Sequence, residues 1–160
     1  MINFSSKSSK KALFTSFLAI FSIILGIFAI SGCSKSGASE QEQMISFAKS
    51  NSINYTTDPS GILYEIMAPG LGTQPALTNT ASTVYTGKLL NGTQFDASAN
   101  PVSFLLSGVI QGWQIGIPLI KKGGRIKMVI PSSLSYGCTG SGSIPANSPL
   151  YFEVSLTDVR

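Results

Sequence analysis

From residue 61 onward the apolar positions of this chain recur at every second residue. "ILYEIM" alternates Ile62, Tyr64 and Ile66 on one side. "RIKMVI" sets Ile126, Met128 and Ile130 against Arg125 and Lys127. "YFEVSLTDV" sets Phe152, Val154 and Leu156 against Glu153, Ser155 and Thr157. A period of two with a single apolar side predicts strands that bury one face and wet the other, as in an antiparallel sheet. Glycine and proline punctuate the gaps, in "PGLG", "KKGG" and "IPANSP". Asn91-Gly92, between "TVYTGKLL" and "TQF", predicts a tight hairpin turn.

Two stretches break that period. Past residue 60, only Val109 to Leu119 reads as a helix. It is too apolar for a surface, so it is expected to pack into the concave face of the sheet. The fold class that follows is α+β: a twisted antiparallel sheet of about five strands around one short helix. The helix is an odd one. Trp113, the sole tryptophan, sits among Gly108, Gly112 and Gly116, and an interior glycine costs a helix about 1 kcal/mol against alanine. A rigid ring in a weak element points to a surface being shaped, with the glycines expected to let backbone approach the ring. Earlier in the chain, Met44, Ile45, Phe47 and Ala48 fall at helical spacing. Ser39 followed by Glu42 reads as a capping box, and Asn51 suits the exit. A short amphipathic helix over about residues 40 to 50 is predicted, as a domain-edge helix or a dimerisation element.

The N-terminal fifth of the chain carries a different signal. Ala12 to Ile30 contains no charge, lysines precede it, and "SGC" follows. A basic start, an apolar core and a small-residue exit form the secretory signal pattern, assigned here to residues 1–32. The run is also long enough to span a bilayer, which takes about twenty apolar residues, so an uncleaved anchor is the competing reading. Either way the lysines keep that end cytoplasmic and the remainder is exported. Ile30-Ser31-Gly32-Cys33 resembles the bacterial lipobox. That resemblance implies acyl chains, palmitate among them, on Cys33 and a lipid bilayer as partner. An ordinary thiol or half-disulfide is the alternative for Cys33. Ser34 in place of an aspartate is compatible with the periplasmic face of an outer membrane, in a cell that has one. Residues 33–39 then form the lipidated tether, 40–60 the leader helix and linker, and 61–160 the folded domain.

Composition narrows the chemistry. The chain has no histidine, which excludes a Ser-His-Asp triad, a Cys-His pair and histidine-containing zinc sites. Two cysteines, Cys33 and Cys138, do not build a thiolate metal cage, so neither metal nor cofactor is expected. If Cys33 is lipidated, Cys138 is expected to be a free thiol in a compartment where pairs oxidise. The net charge of +4 falls to about +1 without Lys7, Lys10 and Lys11, and no clustered basic face for nucleic acid remains. "GCTGSG" (137–142) lacks the Gly-Lys-Ser/Thr ending of a phosphate loop and opens no helix.

"VYTGKLLNGTQFDAS", "VIQGW", "GGRIKMVIP", "YG" and "IPANSPLYFEVSL" occur in the order and approximate spacing of FKBP-type peptidyl-prolyl isomerases. The resemblance covers about residues 61 to 159. It implies an FKBP-like fold and isomerisation of X–Pro bonds in exported proteins, without cofactor. Proline-containing polypeptides would be the partners, and macrolide-type molecules would fit the same pocket. Trp113 is similar to the family's pocket floor. Tyr85, Phe95, Phe104, Val109, Ile110, Ile144 and Phe152 match its apolar walls. Asp96 matches the carboxylate at the edge, and Tyr136 the hydroxyl that meets a substrate carbonyl. The Ile110 main-chain N–H matches the donor to the carbonyl next to proline. Val102 stands where the family often has another aromatic. The segment from Phe104 to Val109 is shorter than in some members, and Ser141 replaces a larger loop tip. A proline-segment-binding chaperone or binding lipoprotein with little turnover is the alternative function.

Overall fold

The computed structural model describes residues 37–160; the signal segment and Cys33 lie outside them. Among these residues, six strands form one sheet: β1 (Thr56–Thr57), β2 (Leu63–Ala68), β3 (Thr80–Leu89), β4 (Gln94–Leu105), β5 (Arg125–Ile130) and β6 (Leu150–Val159). Every pairing is antiparallel, in the order β1-β2-β5-β6-β3-β4. The expected α+β architecture is present, with one strand more than the five predicted. The extra strand is β1, a two-residue edge piece that its short polar sequence does not announce.

The hairpin at Asn91-Gly92 forms as predicted. Gly92 has φ +90 and donates to the Leu89 carbonyl, and the Asn91 side chain accepts the Thr93 N–H at 2.9 Å. A left-handed φ of this kind favours glycine at that position. β5 and β6 keep the predicted period. Ile126, Met128, Ile130, Val154 and Leu156 are all buried. On the other face Arg125 pairs with Glu153 at 2.6 Å, and Lys127 with Glu65 at 3.5 Å.

β2 departs from its pattern. Ile62 is fully buried and Tyr64 packs against the main core, but Ile66 and Met67 are exposed. The register shifts between Ile66 and Ala68, and a bulge of this kind turns side chains off their face.

The second face of the sheet is not simply wet. Helix α1 (Gly37–Ser50) covers part of it and encloses Met44, Ala48, Ile53, Leu63 and Val129 in a separate core. Phe47 and Tyr151 flank it with ring centroids 5.3 Å apart. α1 starts earlier than predicted, at Gly37, so Ser39 lies within the helix. Its exit is as expected: Asn51 donates to the Phe47 carbonyl from both its main chain, at 3.0 Å, and its side chain, at 2.9 Å.

The central helix is also shorter than predicted. α2 covers Gln111–Gly116 and tightens into a 3-10 turn at Ile117–Leu119. Gly112 and Gly116 serve a purpose other than the one expected. A Cβ at Gly112 would fall inside the Ile130 side chain, and one at Gly116 inside Met128, while one at Gly108 would meet nothing. Gly112 and Gly116 thus press α2 onto β5.

Candidate functional site

α2 and the concave sheet face enclose a cavity of about 340 Å³, lined by Tyr85, Phe95, Asp96, Phe104, Gly108, Val109, Ile110, Trp113, Tyr136 and Phe152. Several elements supply it. β3 gives Tyr85, β4 gives Phe95, Asp96 and Phe104, and β6 gives Phe152. The turn before α2 gives Gly108 to Ile110, and the loop after β5 gives Tyr136.

The geometry is that of upright rings around one plane. Trp113 is 5% exposed. Its ring lies 5.3 Å from Tyr85, 5.3 Å from Phe152 and 5.8 Å from Phe104, at 86°, 80° and 85° respectively. Edge-to-face contacts like these contribute about 0.5–1.5 kcal/mol each beyond area burial, so the rings hold one another in place. Phe95 meets Phe152 at 5.6 Å and 83°. The indole Nε1 is buried and has no hydrogen-bond partner.

Polar groups occupy the rim. The Tyr85 hydroxyl donates to Asp96 Oδ2 at 2.7 Å. Burial pushes the Tyr85 phenol up to about 12, with the Asp96 hydrogen bond and negative charge adding to the shift. Tyr85 therefore stays a neutral donor at physiological pH, and Asp96 is held at the cavity edge with its second oxygen unused by this bond. Gln114 fixes the turn ahead of α2 by donating to the Val109 carbonyl at 2.8 Å and the Ser107 carbonyl at 3.3 Å. The Ile110 carbonyl accepts the N–H groups of Trp113 and Gln114.

Of the residues singled out from sequence, nine line the cavity. Ile144 does not. It is buried in the main core behind the wall, joined to Ser141 by an isolated bridge. Val102 is also outside the lining and is 37% exposed. Cys138 is an exposed free thiol. Gly108, expected to bring backbone close to the Trp113 ring, lines the cavity with bare backbone. One contributor went unrecognised. Gly87 lies within β3, and a Cβ there would sit 2.7 Å from Phe95 and 2.8 Å from Phe152. Only glycine allows those two rings to meet across the strand. The signal was available, since a lone glycine inside a strand pattern marks close approach.

The aromatic cup carries one hydroxyl–carboxylate pair, Tyr85 and Asp96, and is otherwise apolar in its side walls. It is suited to binding an apolar ring with an adjoining amide. Comparison with known proteins agrees. Residues 72–157 match the family model described as FKBP-type peptidyl-prolyl cis-trans isomerase. The chain is 42% identical over 126 residues to the FKBP-type peptidyl-prolyl cis-trans isomerase FkpA of Escherichia coli, covering 77% of this chain and 46% of that protein. The crystal structure of FkpA from Escherichia coli superposes with a TM-score of 0.71 at 42% identity, over 78% of this chain and 59% of that one. A peptidyl-prolyl cis-trans isomerase from Pseudomonas syringae superposes with a TM-score of 0.67 at 30% identity, over 80% of this chain and 98% of that one. The chain spans about half the length of the curated relatives it matches.

Proposed function

The chain belongs to the FKBP-type peptidyl-prolyl cis-trans isomerase family, and we propose that it catalyses cis-trans isomerisation of X–Pro bonds in exported proteins as they fold. The observation that carries this reading is the cup of perpendicular rings around Trp113.

The barrier to rotation about a peptide bond is about 18–20 kcal/mol and arises from amide resonance. Breaking resonance needs no proton transfer, which fits a chain without histidine. A catalyst has only to bind the twisted amide better than the planar one. The twisted form carries less charge on oxygen, so a water-poor cavity favours it. Lowering the barrier by roughly 5 kcal/mol accelerates the step several-thousand-fold. In this reading the prolyl ring rests on Trp113 between Tyr85, Phe95 and Phe152. Phe104, Val109 and Ile110 hold the flanking chain, and Ile144 backs the wall. The Ile110 N–H and the Tyr136 hydroxyl grip substrate carbonyls, and Asp96 faces the rotating amide.

The segment arrangement follows the same proposal. Residues 1–32 direct export, Cys33 carries the lipid anchor just ahead of α1, and residues 61–160 form the isomerase domain on the periplasmic side. Macrolide-type molecules occupy the cup in competition with proline. Val102, where the family often has another aromatic, is exposed and outside the lining, which favours a second reading as a proline-segment chaperone with little turnover.

The test is cis-to-trans conversion of a short X–Pro peptide by the full chain in mild detergent, with Trp113 emission followed as a pocket ligand is added. Acceleration together with an emission change supports the enzyme. An emission change without acceleration supports the chaperone, and neither response removes both.

A further inference from the structure

Glu40 is the acidic side chain in the first turn of α1, and it is 9% exposed. One carboxylate oxygen accepts the Ser132 main-chain N–H, and the other accepts the Ser132 hydroxyl at 2.9 Å. The two residues are 92 positions apart. None of the ion pairs among the described residues involves Glu40. A buried carboxylate is costly unless donors surround it, and charge-assisted bonds are the strong ones. Here both of these donors come from a single residue.

Ser132 is the point from which the cup's lip is hung. β5 ends at Ile130, and Ser132–Leu134 form a 3-10 turn directly after Pro131. The Ser132 carbonyl accepts the Ser135 N–H at 3.1 Å, the Ser135 hydroxyl at 3.2 Å and the Gly137 N–H at 2.9 Å. Tyr136 sits between those two residues and lines the cavity. Glu40 thus holds Ser132 by its amide and side chain, while the Tyr136 segment hangs from the carbonyl of the same residue.

We propose that Glu40 is a positioning residue for Tyr136: through Ser132, the docked helix α1 fixes the lip of the proline pocket. This rests on the reading of the cup as a prolyl isomerase site. The leader helix is then part of the working unit and not a spacer. Its apolar side is anchored in the outer core and its first turn reaches the loop that completes the cup.

The experiment compares the full chain in detergent with Glu40→Ala, Glu40→Gln, Ser132→Ala and Tyr136→Phe, and with Glu40→Ala combined with Tyr136→Phe. Glutamine keeps an oxygen for the Ser132 N–H and offers an amide to the Ser132 hydroxyl. Amide hydrogen exchange is read by mass spectrometry alongside peptide isomerisation. Glu40→Ala is expected to speed exchange over residues 133–140 about tenfold while β3 and β6 keep their protection. It is expected to lower kcat/KM about fivefold, with Glu40→Gln restoring both to within about twofold. Ser132→Ala, which retains the amide bond, is expected to give an intermediate acceleration of exchange. On the Tyr136→Phe background, Glu40→Ala is expected to add less than about twofold. Unchanged exchange at 133–140, equal acceleration throughout the sheet, or full additivity with Tyr136→Phe each overturns the proposal. An inactive wild-type chain overturns the isomerase reading instead, and the exchange measurement still decides whether Glu40 holds the lip.

Discussion

The sheet carries two apolar surfaces made of different materials. On the concave side Trp113, Tyr85, Phe104 and Phe152 stand at near right angles around a cavity. On the outer side Met44 and Ala48 of α1 are fully buried against Leu63 and Val129 of the sheet. Rings are stiff and keep their shape when one side is left empty. Aliphatic chains fill space closely and suit a sealed contact. Ile62 and Leu63 are chain neighbours assigned to these two surfaces. The concave face thus combines the binding rings with the main aliphatic core, Ile126, Met128, Ile130, Val154 and Leu156 among it, whereas the outer face is a sealed contact that lends the cavity no ring.

Substitutions that strike one face at a time test this separation. Trp113→Ala should have the largest effect: a fall in kcat/KM on the order of 100-fold, with a stability loss of about 3–5 kcal/mol. Peptide kinetics and urea denaturation measure the two. Leu63→Ala should cost about 2–5 kcal/mol in the same denaturation experiment. Its turnover, measured below the unfolding transition, should stay within about twofold of wild type. Equal damage to activity by both variants would dissolve the distinction. Asp96→Ala is expected to reduce turnover by about tenfold. Its stability should change by no more than about 1 kcal/mol, since the Tyr85 hydroxyl it leaves is able to reach water.

The smallest effect lies at high pH and involves both faces. Burial first, and then nearby carboxylates, push the phenols of Tyr85 on the concave side and Tyr151 on the outer side up to about 12. Unfolded tyrosine ionises near 10. Their contribution is fully present below pH 10. Above it the unfolded chain releases protons that the folded chain retains, so stability falls progressively toward pH 12. Tyr85→Phe and Tyr151→Phe should each flatten part of that decline in thermal melts. A decline that neither substitution alters would assign it to other groups.

Much of this was legible in the sequence, for reasons that can be located. β5 and β6 carry charged or hydroxyl side chains at alternate positions, so their apolar faces are plain. The hairpin turn is marked by Asn91-Gly92. The cup was found because its residues keep the motifs of an isomerase family, and nine of them line one cavity. The outer core was hidden, because Leu63 and Val129 occupy positions that a strand with one wet face would give to polar residues. Ile66 misled because the bulge after it lies beyond the reach of periodicity. Gly112 and Gly116 were assigned to the wrong neighbour, since spacing along a helix does not say which strand lies against it. Glu40 carries no local mark at all. An acidic residue in a first turn is ordinary, and the partner that makes it unusual comes 92 residues later.

The strand order has a consequence for how such a molecule is made. β6 is the last of the six strands in sequence, yet it lies between β5 and β3. A chain that emerges N-terminus first would hold β1-β2-β5 and β3-β4 as two unjoined pieces until residues 150–159 arrive. Those residues also bring Phe152, so the sheet and the cup close in the same late event. Pairing of that kind joins distant parts of the chain and is intrinsically slow, which leaves the nascent protein waiting, with open strand edges, on residues 150–159.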